Sequence, residues 1–263
     1  MKKNLFFICF ALFFSSMIFA EISLEEASQI LKQAEANTAF FETDFSGKYT
    51  VVQEKPGEGK SLTEAIMYRR DKENKWTILI TGPSSEKGKG YLQYDNNIWF
   101  FDPEDKRFTF TSAKDKFQNT NANNADFSPQ FFYRDYEIES YKEEKLGALD
   151  CVVFTLKAKV SKIDYPKLKI WVTKKDSLLR MKQDFSLSGQ LLRTTAIPSY
   201  QIVKTEKRNY AVPVNMLISD NLKGKKIGGK MQYERTQITI KNVSFEPVEN
   251  IVYTKPYLEM MSQ

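Results

Sequence analysis

From Thr43 onward, apolar residues recur at every second position in short runs broken by turn residues, and this period dictates a β body. Successive side chains of a strand point to opposite faces, so a period of two marks a strand whose two faces differ. A first series of expected strands covers residues 44–53, 62–70, 76–81, 90–94, 98–101 and 107–111. The turns between them are Pro56-Gly57-Glu58-Gly59, Gly82-Pro83-Ser84-Ser85, Asp95-Asn96-Asn97 and Asp102-Pro103-Glu104-Asp105. A second series covers 137–145, 149–159, 168–173, 178–185, 191–196, 200–205, 214–220, 232–241 and 243–245, with Ser188-Gly189 as a hairpin turn. Loops this short join antiparallel neighbours, because a parallel pair needs a crossover of about a dozen residues. Roughly a dozen strands with no linker between them suggest one curved sheet or partial barrel, with a two-sheet sandwich as the competitor.

Two segments break the β pattern with helical signals. Ser23 and Glu26 form a Ser-x-x-Glu capping box, and Leu24, Ala27, Ile30, Leu31 and Ala34 make one apolar stripe. This helix should end near Asn37-Thr38. Ser128-Pro129 is expected to open a second, aromatic helix over 130–136, in which Phe131, Phe132, Tyr133 and Tyr136 supply apolar bulk. The Asn-rich stretch 118–126 reads as an exposed loop. Residues 222–230, with three glycines and several lysines, read as a mobile basic loop.

Before the helices, Lys2 and Lys3 precede an apolar run from Leu5 to Phe14, and Ile18-Phe19-Ala20 fits a cleavage site. A run of about ten residues is too short to span some 30 Å of hydrocarbon. Residues 1–20 are therefore expected to be a signal peptide cleaved after Ala20, leaving residues 21–263 as a single domain. Cys9 lies inside the apolar run rather than at its end, which argues against acylation. Loss of Lys2 and Lys3 lowers the net charge from +6 to +4, a mild, scattered excess that does not suggest nucleic-acid binding. Cys151 would be the one cysteine of the mature chain, so no internal disulfide can form.

The chain has no histidine. Ser-His-Asp triads, Cys-His pairs and histidine metal sites are thereby excluded. Lys87-Gly88-Lys89-Gly90 has neither the spacing nor the following helix of a phosphate loop. Asp102, Glu104 and Asp105 flank a proline turn, Asp164, Asp176 and Asp184 fall at strand ends, and no Ser-x-x-Lys opens a helix. No catalytic residue, cofactor or metal ligand is expected. Alternation instead assembles an apolar face from Met67, Ile78, Ile80, Trp99, Phe101, Leu168, Ile170, Met181, Met216 and Ile238. It is either a ligand cavity or an ordinary core.

The layout resembles the periplasmic outer-membrane lipoprotein-sorting proteins, the group that includes LolA and LolB. The likeness runs through Gly90-Tyr91-Leu92-Gln93-Tyr94 and Trp99-Phe100-Phe101-Asp102-Pro103 to Asp126-Phe127-Ser128 with Tyr133-Arg134-Asp135-Tyr136. It continues in the Ser188-Gly189-Gln190-Leu191-Leu192-Arg193 hairpin and the closing Tyr253-Thr254-Lys255-Pro256-Tyr257-Leu258. The resemblance implies an unclosed antiparallel β-barrel, here of about eleven strands, whose short helices lid an apolar concave face. Ile30, Leu31, Phe131 and Phe132 would be the lid residues. It further implies lipid or lipoprotein acyl chains as ligand, an inner-membrane transporter, an outer-membrane acceptor and a periplasmic location. The chain would act as a monomer. A lipid-binding sensor of the same fold and a lipid hydrolase are the alternatives.

Overall fold

The computed structural model describes residues 22–160 and 163–262, so the expected signal peptide lies outside the described residues. Helix α1 spans Leu24–Ala36, and the Ser23 hydroxyl accepts the Glu26 N–H at 3.1 Å, as the capping box requires. Ala27, Ile30, Leu31 and Ala34 are buried, whereas Leu24 is exposed in the first turn.

The strands are β1 (Phe45–Lys55), β2 (Gly59–Arg70), β3 (Lys75–Gly82), β4 (Gly90–Tyr94), β5 (Asn97–Asp102) and β6 (Arg107–Thr111). After a one-turn helix α2 (Phe132–Asp135) come β7 (Tyr136–Leu146), β8 (Leu149–Ala158), β9 (Lys167–Thr173), β10 (Leu179–Phe185), β11 (Leu191–Lys204), β12 (Asn209–Ile227) and β13 (Lys230–Ser244). A short helix α3 (Lys255–Met261) closes the chain.

All thirteen strands form one antiparallel sheet in the order β6-β5-β4-β3-β2-β1-β13-β12-β11-β10-β9-β8-β7. Each half is a meander of hairpins, and β1 pairing with β13 joins them. The strand count exceeds the expected eleven or so, and the sheet is an open barrel. Its two free edges, β6 and β7, are consecutive in sequence. The connection between them, residues 112–135, therefore has to cross the open seam of the barrel.

Three sequence expectations fail for identifiable reasons. Pro198 does not end a strand, because register shifts between Ala196 and Tyr200 absorb it as a bulge inside β11. The stretch read as a basic loop is a β-hairpin, with Gly224 opposite Tyr233 and Ile227 opposite Lys230. Ser128 does not cap a helix over 130–136; its hydroxyl accepts from Trp76 Nε1 at 2.9 Å, and only the single turn α2 forms.

The sheet buries its inner face and part of its outer one. On the outer face α3 packs Tyr257 and Leu258 against Leu79, Leu92 and Phe101. A side chain at Gly90 would come within 2.5 Å of Leu258 Cδ2, so this close approach requires glycine. On the inner face lie α1, α2 and the seam-crossing connection.

Candidate functional site

The inner face carries two apolar clusters side by side. One gathers Met67, Ile78, Ile80 and Ile238 with Phe45, Tyr49, Tyr91 and Ile98. The other gathers Leu168 and Ile170 with Phe154 and Val172 beneath Ile30 and Leu31 of α1 and Phe132 of α2. Met216 packs against both. The structure thus brings together seven of the ten expected strand residues, and Ile30, Leu31 and Phe132 above them.

Trp99, Phe101 and Met181 are on the other side. Trp99 and Phe101 pair with Leu92 and Gly90 of β4, which pair with Thr77 and Leu79 of β3, so they share the outer face. Phe100 and Ile98 face inward in their place. The run Ile98-Trp99-Phe100-Phe101 is apolar on both faces, and only register discriminates between them. For Met181 the cause is a register shift after Leu179. Leu179 stands opposite Val172 and faces in, whereas Met181 stands opposite Trp171 and faces out. Phe131 sits at the seam, with the Arg134 guanidinium 3.5 Å from its ring centroid.

The seam-crossing connection fills most of the space between the clusters. Phe117, Ala122 and Phe127 enter the first cluster, and Thr120, Asn121, Asn123 and Asn124 are buried as well. An Asn-rich segment tolerates burial here because partners meet most of its polar groups, Asn121 Nδ2 and Asn124 Oδ1 being left without one. Asn121 N–H donates to Thr236 Oγ1 at 2.7 Å, Asn123 Nδ2 to Tyr165 Oη at 2.8 Å, and Asn124 Nδ2 to the Ser112 carbonyl at 2.9 Å. The expectation of an exposed loop fails because composition does not reveal such distant partners.

Charged side chains tie this plug to the sheet. Arg193 of β11 donates to Asp126 from both terminal nitrogens and through Nε to Asp184 Oδ2 at 2.8 Å. Lys182 of β10 lies 3.5 Å from Asp184 Oδ1 and donates to Gln130 Oε1 at 3.3 Å. All four charged groups are almost wholly removed from solvent, and Asp184, read from sequence as a strand-end residue, is 0 % exposed. Burial works against the charged forms of Asp126 and Arg193. Their mutual attraction outweighs it, holding Asp126 below the usual carboxylate range and Arg193 far above its ordinary value. No sequence signal pointed to them: alternation from Leu179 puts Lys182 and Asp184 outward, and only the register shift after Leu179 turns them in.

Two spaces remain beside the plug. A cleft of about 430 Å³ opens at the seam between Phe110 and Thr111 of β6 and Tyr136 of β7, with Lys182 and Arg193 at its floor. A smaller apolar cavity of about 100 Å³ lies deeper, between the clusters, lined by Phe40, Tyr49, Leu179, Ile197, Tyr200 and Met216. Asp126, Ser128 and Gln130 line both, so the plug is the wall between them. The inner cavity has room for about three water-sized groups.

The fold recurs in solved structures. A LolA superfamily protein from Nitrosomonas europaea superposes with a TM-score of 0.69 at 21% identity, covering 88% of this chain and 98% of that one. A putative outer membrane lipoprotein-sorting protein domain from Vibrio parahaemolyticus gives a TM-score of 0.73 at 16% identity, covering 88% and 97%. A DUF1329 family protein from Desulfovibrio piger gives 0.72 at 14% identity, covering 89% and 98%. No curated protein sequence matches the chain. The likeness to these structures is one of fold, and the fold is LolA-like. At the level of sequence, residues 72–260 match a family model described as "Uncharacterized protein", and the chain belongs to that family.

Proposed function

We propose that the protein binds acyl chains of a lipid or lipoprotein on the inner face of its open barrel, in the periplasm, and carries them towards the outer membrane. The supporting observation is how that face is covered. Two apolar clusters that a second sheet would bury permanently are covered instead by a short helix and a connection rich in phenylalanine, with a cavity left between them. Displacing Phe117, Phe127 and Phe132 would join the two apolar clusters in a trough from β3 to β9, with Lys182, Asp184 and Arg193 in its wall. Each methylene buried there stabilises the complex by about 0.8 kcal/mol, so several suffice without a polar anchor that would slow release. The signal-peptide pattern of residues 1–20 supports export.

The test fills the cavity. Met216→Trp should leave the protein folded and weaken binding of a fluorescent fatty-acid probe at least tenfold. Failure of the wild-type protein to bind the probe, or unchanged binding by the variant, would remove the acyl-binding reading.

A further inference from the structure

The β12–β13 hairpin outgrows the sheet. β12 pairs with β11 as far as Asp220 opposite Arg193, and β13 pairs with β1 as far as Arg235 opposite Glu54. Beyond those rungs the hairpin's recorded pairs, from Gly224–Tyr233 to Ile227–Lys230, are with itself alone. None of residues 221–234 is buried. A two-stranded ribbon is at best marginally stable in water, so folding alone gives no reason to extend one with apolar side chains.

Its chemistry is uneven. Gly224 opposes Tyr233 and Lys226 opposes Met231, which places Met231 and Tyr233 on one face, and Leu222 stands at the ribbon's base within the register shift between Ser219 and Gly224. Met231 and Tyr233 fold over Gly224, where a Cβ would lie 3.2 and 3.1 Å from them. Leu222, Met231 and Tyr233 are nonetheless 55%, 55% and 40% exposed. Around them stand Lys223, Lys225, Lys226 and Lys230, and none of the four has a carboxylate at ion-pair distance among the described residues. The nearby Glu54 is taken by Lys60 and Arg235. Glu234 is the one acidic residue in 221–234.

We propose that this ribbon docks the protein on an anionic bilayer. Leu222, Met231 and Tyr233 enter the headgroup layer, and the four lysines meet lipid phosphates, their long stems reaching around the ribbon edge. The lysines occupy both faces and the tip without framing a pocket. That suits a smeared negative surface rather than one shaped acidic ligand. The ribbon shares no residue with the seam cleft or the inner cavity, so the docking does not depend on acyl binding.

The test is co-sedimentation of the whole protein with vesicles of phosphatidylglycerol and phosphatidylethanolamine, against vesicles of phosphatidylcholine. Association should occur with the anionic vesicles, fade in high salt, and fall at least tenfold when Lys223, Lys225, Lys226 and Lys230 are all changed to glutamine. Leu222→Trp should show blue-shifted emission on the anionic vesicles. Melting temperature and fatty-acid probe binding should stay unchanged in the glutamine variant, which separates this surface from the cavity. Equal association with both vesicle types, none with either, or full binding by the glutamine variant would overturn the proposal. Absence of binding to both would point the ribbon to a protein partner.

Discussion

Arg193 grips Asp126 with both terminal nitrogens, Nη1 to Oδ2 at 2.6 Å and Nη2 to Oδ1 at 3.0 Å, and so joins the middle of the sheet to the segment that plugs it. The pair is buried, and Asp184 completes it from β10. Arg193→Ala would leave the Asp126 carboxylate without its guanidinium and Asp184 with Lys182 alone, a loss of about 3–5 kcal/mol. Urea unfolding should show that loss. Asp126→Asn keeps the shape but not the charge and should speed entry of a fatty-acid probe. Wild-type stability in the alanine variant would mean that the ion pair does not hold the plug.

Acid should weaken the fold and neutral pH should not. Burial opposes ionisation of Asp44 and Asp126, but the guanidinium of Arg70 in one case and Arg193 in the other leaves both below the ordinary carboxylate range. Depressed carboxylates contribute stability above their unfolded value of about 4, and it is lost as pH falls through the folded value. At the other end, burial pushes the Tyr165 hydroxyl up to about 12 and raises the Cys151 thiol. Their contributions are complete below the unfolded values and are lost as pH rises towards the folded ones. With no histidine in the chain, melting temperature should be flat between about pH 5 and 8. A step near pH 6.5 would contradict this account.

Opposite faces of neighbouring strands should respond differently to charge. Ile170 is fully buried beneath α1, so Ile170→Glu should lose several kcal/mol and unfold much of the protein. Met181 is half-buried on the outer face, and Met181→Glu should change melting temperature by only a few degrees and leave probe binding intact. Equal damage from the two substitutions would refute the register shift between Leu179 and Met181.

Cys151 is 1 % exposed, and burial raises its thiol pKa. Iodoacetamide should therefore modify it only on unfolding, at a rate that rises with urea. Rapid labelling of the native protein would show that β8 opens locally.

Sequence alone determined the β body, the antiparallel order of neighbouring strands and α1, because period, turn chemistry and the Ser23–Glu26 box are local. It located most strand limits, from 107–111 for β6 to the start of β11 at Leu191. It also identified Ile78, Ile80, Leu168 and Ile170 as partners on one face, since alternation carries along a strand without interruption. Only the tertiary structure decided which face Trp99, Phe101 and Met181 occupy. In a strand apolar on both sides, the face is set by the neighbour's register, and a one-residue shift reverses it. The buried plug and its ion pairs were equally out of reach. Asn121 and Thr236 are 115 positions apart, and Asp126 and Arg193 are 67. Polar groups read as solvent-seeking until the fold brings a partner near enough to replace the water.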